Sequence, residues 1–96
     1  AALVDYGEGA VVSRVLLKKL TGSLTVFAFD QGQELSEHTA PFDAMICVLD
    51  GRAQITISGK EYGVAEGEFI FLPEGKPHSV QALEQFKMML VMIKGK

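Results

Sequence analysis

The sequence predicts an all-β domain folded as an antiparallel sandwich or barrel. Three observations carry this. The uninterrupted apolar runs, at 44–49 and 88–93, are strand-sized. Turn-forming residues punctuate the chain every eight to ten residues, the rhythm of short antiparallel strands. No long helical period occurs after residue 20.

The elements follow in order. Residues 11–20 mix apolar and charged side chains and fit a strand or a short helix equally. Thr21, Gly22 and Ser23 read as a turn. Residues 24–29 are rich in β-branched and aromatic side chains and read as a strand, ended by Asp30, Gln31 and Gly32. A polar strand at 34–39 stops at Pro41. The run 44–49 leads into Asp50-Gly51, a two-residue hairpin signal, because a type I′ turn needs positive φ at both positions. Residues 54–57 are expected to return antiparallel. Ser58-Gly59-Lys60 and Glu66-Gly67 are turns that bound strands at 61–65 and 69–72. Pro73-Glu74-Gly75-Lys76-Pro77 forms a stiff loop, and strands at 78–83 and 86–93 complete about eight or nine.

With 96 residues the chain is one domain, and its 48% hydrophobic content is that of a globular protein. A net charge of −3 and a pI of 5.3 give no electrostatic footprint for nucleic acid or an anionic membrane. The adjacent Lys18–Lys19 pair reads as a solvated strand edge. No run approaches the ~20 apolar residues of a membrane helix, and no basic stretch followed by an apolar one marks a signal peptide. The single cysteine, Cys47, excludes an internal disulfide. It fits a reducing compartment, so a cytoplasmic location is expected. A chain this short buries roughly 60–65% of its unfolded surface. That thin core, with apolar strand edges to cover, favours a homodimer.

Two spaced patterns stand out. Gly32 is followed by five residues and His38, with Gly51 further on. Gly67 is followed by five residues and Pro73, then Gly75, then two residues and His78. The pair resembles the two motifs of the cupin superfamily, over residues 24–93, within a single domain spanning 1–96. The resemblance implies a double-stranded β-helix, or jelly-roll barrel, and the homodimeric state common among small cupins. The second motif keeps its spacing through His78. The departures are three alanines: Ala40 stands where the second His of the first motif falls, Ala44 at its Glu, and Ala82 at the final Asn of the second.

Strand alternation puts His38 and Ala40 on one face, and His78, Val80 and Ala82 on one face. In a cupin barrel these faces look inward, so the two imidazoles meet across the interior. His38, Ala40, Ala44, Ile46, Phe71, His78, Val80 and Ala82 are the expected ligand pocket. His38 and His78 are the candidate catalytic acid and base and the candidate ligands for one divalent ion, nickel, zinc, manganese or iron. Three functions follow. One is a small-molecule-binding barrel whose reduced two-histidine site grips a polar group of the ligand. The second is a metal-dependent isomerase, lyase or dioxygenase. The third is a sensing or structural barrel without chemistry; no helix-turn-helix accompanies it. Met45, Met88, Met89 and Met92 read as core. Cys47, with the parity of Met45 and Leu49, reads as a small buried apolar residue. Glu34, Glu37 and Asp43 are solvated charges around the pocket mouth, Asp43 facing away from the Ala44 side.

Overall fold

One glycine organises the barrel. Gly51 lies inside a single 15-residue strand, β4 (Asp43–Ile57), with φ of 73°. The positive φ that the sequence predicts is present, but the hairpin is not, because the chain runs straight on. Pairing with the neighbouring strand slips between Val48 and Asp50, and such a bulge bends and twists a strand. The bulge turns the first half of β4 into one sheet and the second half into another. Only glycine fits there. An added Cβ would strike the Gln85 carbonyl oxygen and lie 3.0 Å from Phe86 Cα. The tight hairpin is instead at Ser58-Gly59, with φ of 50° and 83° and Ile57 paired with Lys60, as a type I′ turn requires.

The computed structural model describes residues 3–93. Among these, eight strands form: β1 (Val11–Lys19), β2 (Gly22–Phe29), β3 (Glu34–His38), β4, β5 (Lys60–Ala65), β6 (Phe69–Leu72), β7 (His78–Gln81) and β8 (Phe86–Ile93). Residues 11–20 resolve to strand because β1 pairs along nearly its whole length with β2. The first half of β4 pairs with β8 and β6, giving a sheet ordered β1-β2-β8-β4-β6. Its second half pairs with β7 and β5, giving β3-β7-β4-β5. All pairs are antiparallel.

The two sheets press their apolar faces together. Ala44, Ile46, Val48, Phe29, Phe86 and Met88 come from the five-stranded sheet, and Ala53, Ile55, Val64 and Val80 from the other. Phe29 and Phe86 stack with centroids 4.5 Å apart, within the range that favours aromatic pairs. Outside the larger sheet the N-terminal segment folds back, and Val4 packs with Val26 and Ala28. It is tied by the Tyr6 hydroxyl, which donates to Asp50 Oδ2 at 2.7 Å.

Candidate functional site

A second bulge places the histidines. Leu35 pairs with Val80, but the next interior pair is His38 with His78, one residue out of step. The extra residue in β3 puts Leu35 and His38 on the same face and turns Glu37 away. The loop before His78 is pinned on both sides. The Gly75 N–H donates to the Ala40 carbonyl at 2.9 Å, and the Ser58 N–H to the Pro77 carbonyl at 2.8 Å. The imidazoles therefore meet across neighbouring strands β3 and β7, and not across the barrel interior as the sequence suggests. Their Nε2 atoms are 3.1 Å apart and their rings nearly perpendicular, at 68°. His78 is buried and His38 exposed.

The remaining nitrogens fix the protons. His38 Nδ1 lies 2.8 Å from the Ser36 carbonyl, and His78 Nδ1 lies 3.2 Å from the Lys76 carbonyl. A carbonyl only accepts, so both Nδ1 atoms carry hydrogen. In two neutral rings both Nε2 atoms would then be bare acceptors, facing each other at hydrogen-bond distance. A proton shared between them would remove that conflict and give the pair a single positive charge. His78 is held below the ordinary imidazole value, first by burial and then by the charge of His38, against the Lys76 carbonyl, which pulls it up. Burial therefore disfavours charge on His78 and suits its Nε2 to the acceptor role in the pair.

Three of the expected pocket residues belong to the core, and a fourth, Phe71, points outward and lines a different cleft. Ile46, Val80 and Ala82 are 1–2% exposed and belong to the closed core. A side chain that lined an open pocket would keep accessible surface. Phe71 pairs with Met45, whereas the inward residues Ala44 and Ile46 pair with Leu72 and Ile70. Phe71 therefore faces out and is 52% exposed. Ala44 is buried beneath the site and Ala40 half-buried at its rim. Asp43 faces away from Ala44, and its carboxylate accepts the Glu74 N–H at 2.8 Å.

A cleft of about 690 Å³ opens between the edges of β5 and β6. Tyr62, Val64, Phe69, Ile70, Phe71 and Ile57 line it, with Glu68 the charged member of its wall. Ile57 pairs with His78, so one side chain borders both the cleft and the histidine pair. The sequence reading missed Ile57, Tyr62 and Ile70, because the hairpin misplaced at Asp50-Gly51 turned residues 54–57 away from them.

A cupin fold implies a metal. The Nδ1 bonds give both rings the tautomer a metal needs at Nε2. The donor set stops there: Ala40 and Ala44 offer no ligand atom. Among the described residues no group of three or more His, Cys, Asp or Glu side chains stands close enough to hold an ion. Metal centres of this kind use at least three protein ligands, so these residues do not fit a resident ion.

Two sheets joined through one bent strand, with a histidine pair between β3 and β7, define a cupin-type jelly-roll barrel. The chain belongs to the cupin domain family, whose model matches residues 25–94. It is similar to a conserved protein of unknown function from Streptococcus pyogenes, with 41% identity, 96% of this chain and 81% of that one covered, and a TM-score of 0.92. A cupin 2 conserved barrel domain protein from Leptotrichia buccalis is 39% identical with a TM-score of 0.94. The match covers 97% of this chain but 45% of that longer one. A salicylate 1,2-dioxygenase from Pseudaminobacter salicylatoxidans shares the fold at 15% identity, with a TM-score of 0.82 over 88% of this chain and 26% of that one. No curated protein matches the chain.

Proposed function

We propose that this barrel binds a small organic anion, with the carboxylate or equivalent oxyanion at the His38–His78 pair and an apolar ring or chain in the cleft between β5 and β6. The observation that carries the reading is the pair of Nδ1–carbonyl bonds, which turns both Nε2 atoms toward one another, where a proton held between them makes a cation. A fixed cation at the rim of an apolar barrel attracts an anion and orients it. Displacing the His38–His78 bond with an oxyanion gives the His38 N–H a stronger acceptor and costs no new desolvation of His78. The cleft volume is that of an ordinary small-molecule pocket, and its aromatic walls suit a flat or branched apolar body.

A fragment series tests this: benzoate, benzyl alcohol and benzylamine, each followed by histidine side-chain nitrogen resonances and thermal shift. Benzoate is expected to move both Nε2 signals and to raise the melting temperature, and benzylamine to do neither. The shift should vanish in His38→Ala. Equal binding of all three probes, or benzoate binding unchanged in His38→Ala and His78→Ala, would overturn the reading.

A further inference from the structure

We infer that the ligand is a dicarboxylate whose second acid group is held by Lys60; the inference rests on the anion reading above and extends it. One register crosses the smaller sheet from edge to edge: His38, His78, Ile57 and Lys60. Residues in cross-strand register point to the same side of a sheet. His78 and Ile57 share the face of the buried Val80 and Ile55, two residues along each strand. Lys60 therefore rises from the inward face as well, with Ile57 between it and the histidine pair.

Two features hold the ammonium there. The tight Ser58-Gly59 hairpin closes on the Ile57–Lys60 pair, and one more residue in that turn would put Lys60 on the outer face. The Lys60 Nζ atom lies 5.5 Å from the centroid of the Tyr62 ring, a cation–π contact, and Tyr62 is a wall of the cleft.

Charge on this face is one-sided. Its other inward registers, Leu35-Val80-Ile55-Tyr62 and Ala53-Val64, carry no carboxylate among the described residues. Glu61 follows Lys60 in β5 and faces the other way. Glu68, in the cleft wall, accepts the Ala65 N–H at 2.8 Å, at the opposite end of β5 and about 17 Å from Lys60 along the strand. The spacing sets the size of the ligand. From β7 to β5 is two strand spacings, about 10 Å. A charge-assisted hydrogen bond of about 2.8 Å at each end leaves room for one ring, or a chain of a few carbons, between two carboxylates. The aromatic cleft walls favour the ring.

Calorimetric titration at low ionic strength with terephthalate and with 4-methylbenzoate, which match in shape and differ in the second carboxylate, tests the inference. Circular dichroism verifies that each variant is folded. Wild type is expected to bind terephthalate at least about fivefold more tightly. Lys60→Met keeps the stem and removes the charge, so the two affinities should converge, with that of 4-methylbenzoate unchanged. Lys60→Gln gives a second neutral side chain should the methionine variant not fold. Lys60→Arg should keep the preference. So should Arg52→Met, which removes an equal charge from the outer face of β4. His38→Ala should weaken both probes. No preference for terephthalate in wild type, with 4-methylbenzoate binding still dependent on His38, overturns the role of Lys60 and leaves the anion reading standing. A preference that survives neutralisation of Lys60 does the same. Failure of both probes to bind removes the anion reading and this inference with it.

Discussion

The two ends of this barrel follow the same inward-outward alternation and reach opposite results. At one end Phe29, Phe86, Met88 and Val48 fill the space between the sheets, none more than 1% exposed. Asp30 ties that end together, accepting the Gly9 N–H at 2.6 Å, the Gln31 N–H at 2.9 Å and the Gln85 amide at 3.0 Å. Those donors hold its carboxyl below the usual value, with the Gly9 bond foremost. At the other end alanines occupy Ala40 and Ala44, two imidazoles face each other, and an apolar cleft lies alongside. Volume closes one end, and two facing imidazoles mark the other. The difference puts the proposed binding site where packing stops, since a filled core has no room to admit a ligand.

The contrast has its largest expected effect at the filled end. Phe86→Ala removes half of a stacked pair from a site that cannot collapse, and it should cost about 3–5 kcal/mol in urea unfolding. His38→Ala, at the open end, should cost far less. Similar losses for the two would erase the distinction between the ends. The hinge between sheets comes next. Gly51→Val meets both a positive φ and the Gln85–Phe86 backbone, and a loss of about 2 kcal/mol or more is expected in the same measurement. A silent Gly51→Val would mean that β4 does not bend there.

Much of the fold was legible because strand signals are local. The strands at 34–38, 69–72 and 86–93 follow from apolar runs and turn residues. The hinge was misread because Asp-Gly marks positive φ without saying whether the chain reverses. Parity carried the missing information. The buried positions of β4 fall on even numbers at 44, 46 and 48 and on odd numbers at 53 and 55. A change of parity within one apolar pattern marks an inserted residue. The same applies at the site: the spacing picked out both histidines, but only the bulge in β3 explains why they touch. The filling of the interior around Ile46, Val80 and Ala82 depends on side chains from distant strands, which no local pattern reports. Phe71 was assigned inward without the register of β6 against β4, which turns it out.

A smaller effect separates the ends through the N-terminal segment. Tyr6 reaches 44 residues along the chain to Asp50, beside the hinge. Its hydroxyl is pushed well above the ordinary phenol value, first by burial and then by the Asp50 carboxylate that accepts its hydrogen. Tyr6→Phe leaves that carboxylate without its donor and should cost about 1–2 kcal/mol. Faster amide exchange at Val26 and Ala28, which the segment covers, would accompany it, while exchange at His78 stays unchanged. Accelerated exchange at both would mean that the two ends are not separable.

The smallest expected effect is a pH dependence confined to the open end. His78 is held below the ordinary imidazole value of about 6.5, so the unfolded chain takes up this proton more readily than the folded one. The stability that neutral His78 contributes is therefore whole above about pH 6.5 and is lost as pH falls through the lower folded value. Burial is the first cause and persists without a neighbour; the charge of His38 adds to it. Urea unfolding at about pH 7.5 and 5 reads the difference. Wild type should lose stability toward acid, His38→Ala should lose less, and His78→Gln should lose least. Asp30, at the filled end, is held below the usual carboxylate value by its three donors and lies outside this window. A loss that survives His78→Gln unchanged would place the acid sensitivity elsewhere in the barrel.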